Sequence, residues 1–226
     1  AFTSSAALLR AGGVLEDCEI TTTSGNGRVI WVQYSASSAQ SVVQNNTMSI
    51  SLDSGGSRKE GIKIEDDYAQ VTGNTLTFSG NDASAGVGIS IPDSQGKYST
   101  ISYNTVNSTG TGIRLDTGTT DGNITATFNL LNETTVGIKL VKGKTYSVLN
   151  NTIARETYTA STHGLVVEST FSTNASDFKR NLVYNQENGY TWNVAPSSTS
   201  WSVEDNAYWD SGNYGIASYP SVGTAL

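Results

Sequence analysis

Apolar and polar positions alternate along this chain in short runs, with no amphipathic helix between them. The runs recur in a fixed order. One frame, apolar, two variable residues, Asn, one variable residue, apolar, reads "VQNNTM", "VTGNTL", "ISYNTV", "ATFNLL", "VLNNTI", "FKRNLV" and "VEDNAY". It sets Asn46, Asn74, Asn104, Asn129, Asn151, Asn181 and Asn206 in one column, and "LEDCEI" puts Cys18 in the same place. Successive steps are 28, 28, 30, 25, 22, 30 and 25 residues, so eight copies fill the chain. A period of this size marks a solenoid.

A second column follows each Asn: "GIKI", "GISI", "GIRL", "GIKL", "GLVV", "GYTW" and "GIAS", starting at Gly61, Gly88, Gly112, Gly137, Gly164, Gly189 and Gly215. In most of them the residues one and three after Gly are apolar and the one between is not, the period-2 sign of a strand with one buried face. A third apolar stretch precedes the next Asn, as in "YAQV", "YSTI" and "YSVL". The pattern therefore predicts an all-β solenoid with three short strands per coil. Stacked coils sit about 4.8 Å apart, so each residue lies over its counterpart one coil away. Asn in such a column takes a tight, partly left-handed bend and bonds its neighbours' amides as a ladder, while Gly supplies positive φ or room. Cys18 reads as a small buried substitute at the first rung.

These columns resemble the right-handed parallel β-helix family, the pectate-lyase-like superfamily with its "NNTI…GI.L" repeats, over roughly residues 14–219. The resemblance implies a single-stranded right-handed parallel β-helix of about eight coils. It also implies a short capping helix within residues 1–13, where "TSSAALLRAGG" offers Ser4 or Ser5 as N-cap and a Gly stop. The whole chain, 1–226, reads as one domain. Residues 220–226 read as a tail, and the open last coil leaves room for an oligomer contact or a further domain of a longer protein.

Composition narrows the partners. A net charge of -7 with only 13 Lys and Arg argues against nucleic acid, whose phosphates need a basic stripe. No apolar run is long enough to insert in a membrane as a helix. A single Cys excludes an intrachain disulfide.

Coil length carries the functional signal. Asn and Gly are eight residues apart in the coils of Asn104, Asn129 and Asn181, but 15, 14 and 13 apart in those of Asn46, Asn74 and Asn151. The insertions "LDSGGSRKE", "SGNDASAG" and "ARETYTASTH" share one corner, and insertions that crowd one face usually mark a binding face. Coils two and three would raise one wall and coil six the other, over a floor of coils four and five about 10 Å wide. That width suits an extended glycan.

With the apolar pairs of "GIRL" and "GIKL" turned inward, Arg114 and Lys139 face out on that floor beside Lys63 and Ser90, with Asp116 on the same face. Lys142 lies on the next turn, and Arg155, Tyr158 and His163, the only histidine, belong to the sixth-coil wall. The family resemblance implies lyase or epimerase chemistry on a polyuronate, in which cations neutralise the substrate carboxylate and a Lys, Arg or His removes the C5 proton. Arg114, Lys139 and His163 fill those roles here, and Asp116, Lys142, Arg155 and Tyr158 line the substrate. Paired carboxylates for a hydrolase are missing, because Pro92 and Val141 stand at the places that match Asp116. By the same resemblance Ca²⁺ is the expected cofactor, at Glu65, Asp66 and Asp67, the one acidic cluster. The late aromatics, Trp192 and Trp201 among them, divide between core and sugar stacking. The sequence thus leads to a secreted or cell-surface polysaccharide-processing protein. A non-catalytic carbohydrate-binding module and a structural part of an adhesin, filament or phage spike are the alternatives.

Overall fold

The computed structural model describes residues 6–10, 12–23, 27–34, 39–52, 59–92, 95–116, 123–142, 145–168, 176–192 and 201–209. These form a parallel β-solenoid of about six turns with almost no helix. Each coil has three strands, in the fourth Thr100–Ser102, Thr105–Asn107 and Thr111–Asp116. First strands stack into an eight-stranded sheet from Val14–Glu16 to Trp201–Glu204. Second and third strands belong to one fourteen-stranded sheet, since the chain passes from one to the other unbroken in the long strands Thr152–Val167 and Leu182–Trp192. The expected eight coils slightly overcount these turns: eight first strands stack, Ala7–Leu9 pairs beside the first coil's Gly27–Val32, and residues 210–226 lie outside the described range.

The three inward columns meet in one apolar core. In the fourth coil Ile101, Val106, Ile113 and Leu115 are fully buried, as the alternation predicts. The N-terminal capping helix is a correction. Ser4 and Ser5 lie outside the described residues, and Ala7–Leu9 is a strand paired in parallel with Gly27–Val32. A helix this short is marginal in water, whereas the sheet edge offers a ready ladder of hydrogen bonds.

The Asn column is a hydrogen-bonded ladder running through the corner of the solenoid. Asn104 Oδ1 accepts from the backbone N and the Nδ2 of Asn74, at 3.0 and 2.9 Å. Asn104 in turn donates through N and Nδ2 to Asn129 Oδ1, and Nδ2 also reaches the carbonyls of Ser102 and Val71. The pattern repeats from Asn46 to Asn206. Cys18 copies half of it: its backbone N donates to Asn46 Oδ1 and its thiol reaches the carbonyl of Glu16. It is partly rather than fully buried.

The left-handed bend falls one residue before the expected place. Asp17, Asn45, Gly73, Tyr103, Phe128, Asn150, Arg180 and Asp205, each preceding the ladder residue, have φ between 54° and 67°. A non-Gly residue there costs about 1–2 kcal/mol. The amide at the bend offsets that by donating one coil on, as Tyr103 N does to the carbonyl of Thr127.

The Gly column needs room rather than positive φ. A Cβ on Gly112 would stand 2.7 Å from the carbonyl oxygen of Gly137 and 3.1 Å from Leu131, and Gly88 meets Gly112 in the same way. The second strand's inward side chain and the next coil's backbone fill the space.

Candidate functional site

The two insertions within the described residues, "SGNDASAG" and "ARETYTASTH", occupy one corner, between the second and third strands. "SGNDASAG" forms a single 3-10 turn, Ala83–Ala85, before Gly86–Ile91. "ARETYTASTH" is no loop but part of the strand Thr152–Val167, which bulges against Leu182–Trp192: Ala154, Thr159 and His163 pair with Tyr184, Gln186 and Asn188. The extra residues, 156–161, stand exposed. Most of "LDSGGSRKE" lies outside the described residues.

On the third strands, Arg114 is in register with Ser90 on one side and Lys139 on the other, and Ser90 with Lys63. The column continues to Trp31 below and to Val166 above. Arg114 and Lys139 are therefore neighbours on the outer face, with side chains 27% and 28% exposed. Each cation has a carboxylate. Arg114 Nη2 lies 3.5 Å from Asp116 Oδ2, Lys139 Nζ 2.6 Å from Glu168 Oε1, and Lys63 Nζ 2.5 Å from Glu65 Oε1. Buried Arg114 Nε has no hydrogen-bond acceptor among the described residues. Arg28, which stacks on Trp31 at 4.0 Å, completes the Glu65 cluster.

Asp116 faces out as expected but is only 7% exposed, and its neighbour is not Val141. A bulge between Leu115 and Asp116 shifts the register by one and sets Asp116 beside Lys142, whose side chain lies outside the described residues. The carboxylate thus sits between two cationic positions.

The remaining candidates spread out. His163 pairs with Val136 of the fifth coil, three residues before Lys139, and its Nδ1 contacts Thr191 Oγ1 at 2.9 Å and Asn188 Nδ2 at 3.2 Å. Burial of the ring pushes its pKa below the ordinary value, and Glu187 only partly opposes this. Arg155 braces the wall: Nη2 lies 3.2 Å from Glu133 Oε2 and Nη1 donates to the carbonyl of Thr134 at 3.0 Å. Tyr158 is half exposed on the bulge.

The acidic triplet does not fit a calcium cage. Glu65 pairs with Lys63, buried Asp66 accepts from Ser41 Oγ at 2.7 Å, and Asp67 Oδ1 accepts from Lys97 N at 2.8 Å. Three carboxylates on three separate partners do not converge as calcium requires. Among the described residues no group of three His, Cys, Asp or Glu side chains gathers to hold a metal.

Sequence reasoning missed Glu168 and Glu133, the partners of Lys139 and Arg155. Counting coil register gives Glu168 away, since it lies two residues past Val166, the counterpart of Lys139. It also missed four exposed aromatics: Tyr68 stacks on Tyr98 and Tyr103 on Phe128. Their signal was an aromatic repeated at the same place one coil on: Tyr68 and Tyr98 two residues before a first strand, Tyr103 and Phe128 one residue before a ladder Asn. Of the late aromatics, Tyr208 packs inside against Tyr190, Trp209 is exposed, and the side chains of Trp192 and Trp201 lie outside the described residues. Comparison with protein-family models gives no match, and comparisons with curated proteins and with solved structures likewise give none.

Proposed function

We propose that this solenoid belongs to the pectate-lyase-like superfamily and binds an acidic polysaccharide outside the cell, over its fourth and fifth coils. The observation that carries the reading is the register of Arg114 with Lys139 on the outer face, beside the corner that holds the insertions. Adjacent coils hold these cations at a separation of the order of 5 Å, close to the size of one sugar ring. Consecutive uronate carboxylates can then meet consecutive rungs. The Lys139–Glu168 pair does not oppose this, because a pair exposed to this degree is worth about 0–1 kcal/mol and exchanges readily for a multivalent ligand.

The geometry favours holding the glycan over cleaving it. A base for the C5 proton must stand within hydrogen-bond reach of the ring held by the cations. Burial favours the neutral imidazole a base needs at His163, but its Nδ1 contacts Thr191 and Asn188 on the seventh coil, on the side away from the floor. Binding of polygalacturonate and alginate, with a neutral glucan as control, tests the site. Arg114→Ala with Lys139→Ala is expected to weaken acidic-glycan binding at least about tenfold, 1.4 kcal/mol. Unchanged affinity would remove these residues from the site. A lyase reading gains if unsaturated product accumulates and His163→Gln stops it. Binding without product leaves the carbohydrate-binding module.

A further inference from the structure

We infer that a second sugar-binding surface lies on the first-strand face of coils three to five, and that its ligand is an uncharged pyranose chain. Two stacked aromatic pairs border this face. Tyr68 and Tyr98 have ring centroids 5.0 Å apart and 15° between planes, while Tyr103 and Phe128 are 5.1 Å apart at 6°. All four rings are exposed, from 46% for Tyr68 and Tyr98 to 62% for Tyr103.

Tyr98 and Tyr103 sit at the two bends that bound the strand Thr100–Ser102, so the pairs stand at opposite ends of it, at most about 16 Å apart along the backbone. Between them the outer positions are neutral and polar, with Gln70, Thr100 and Thr125 in register across three coils. The strands Gln70–Thr72, Thr100–Ser102 and Asn123–Thr127 contain no charged residue, although the same face carries Glu16 below and Asp177, Lys179 and Glu204 above.

Grouped exposed aromatics mark an interaction surface more often than scattered ones. The backbone strengthens this. Tyr103 and Phe128 occupy left-handed bends with φ of 57°, in a column where Asn45, Gly73 and Asn150 meet the same need with residues better suited to it. A pyranose ring is amphipathic: its C–H face lies flat on an aromatic ring, and its hydroxyls project from the edge. Aromatic borders with a strip of hydroxyls and an amide between them match that chemistry, and the missing charge selects against uronates. This surface is distinct from the Arg114 and Lys139 column, which lies on the third strands.

Titration of cellohexaose and mannohexaose into the full chain, followed by saturation-transfer NMR and calorimetry, tests the inference. The wild type is expected to bind at least one of them, with transfer from aromatic protons to sugar C–H protons, and binding should persist in high salt. Tyr103→Asn with Phe128→Asn removes one pair while placing at each bend a residue that the column already uses. Tyr68→Gly with Tyr98→Gly removes the other. Each double variant is expected to keep the wild-type circular dichroism and lose at least about fivefold in affinity, whereas Arg114→Ala with Lys139→Ala changes nothing here. Failure of both hexasaccharides to bind, full affinity in both aromatic variants, or loss on removing the two cations would each overturn the inference. The last two outcomes leave the acidic-glycan reading standing on its own test.

Discussion

Asn104 shows how much one side chain carries in a stacked fold. It accepts two bonds from the coil below and donates to the coil above, to its own bend and to the carbonyl of Val71. Asn104→Ala strands the backbone N–H of Asn74, whose Nδ2 keeps the carbonyls of Val43 and Thr72. An orphaned buried polar group costs about 1–3 kcal/mol, so a loss of about that size is expected, read from urea denaturation. His163 offers a pH signature at the same scale. Because burial lowers its folded pKa below the unfolded value of 6.5, the unfolded chain binds the proton more readily. The stability it contributes is present in full above pH 6.5. It falls away as pH drops from there through the depressed folded value, so the urea midpoint of the wild type should fall more between pH 7.5 and 5.5 than that of His163→Gln. Asn and Gly were legible in the sequence because each repeats at a fixed place. Which residue bends was not, since the bend column holds eight residues of six types with no shared chemistry.

At the scale of single elements, periodicity located the strands and which face of each is buried, as in Ile113, Leu115, Ile138 and Leu140. It failed where pairing overrides local pattern. "ARETYTASTH" has the polar character of a loop, yet its neighbour Leu182–Trp192 supplies a partner strand and draws it into the sheet with two register shifts. The bulge after Leu115 likewise changes the partner of Asp116 from Val141 to Lys142, and no side-chain pattern announces it. Arg155 holds the sixth-coil wall to the fifth coil through Glu133 and the carbonyl of Thr134. Arg155→Ala should speed amide exchange across 155–162 by about tenfold while shifting global stability by no more than about 1 kcal/mol, because a partly exposed ion pair contributes little. Exchange unchanged in that segment would mean that the strand pairing alone holds the wall.

Across the whole molecule, repetition turns local choices into surfaces. One outward position, repeated every coil, becomes the column of Trp31, Lys63, Ser90, Arg114, Lys139 and Val166. The sequence sets Arg114 and Lys139 side by side, and the register bears that out. What it could not give is the compensation: Arg114 is paired with Asp116 and Lys139 with Glu168. The two described insertions share a corner as their spacing implies, and His163 ends the second of them with partners of its own. The central claim is that the Arg114 and Lys139 column receives consecutive carboxylates of an acidic glycan. A crystal structure of the chain with tetragalacturonate tests it most directly. The expected result is two neighbouring uronate carboxylates within about 3 Å of the Arg114 guanidinium and the Lys139 ammonium, with Asp116 or Glu168 displaced from its cation. A glycan bound elsewhere, with both ion pairs intact, would contradict it.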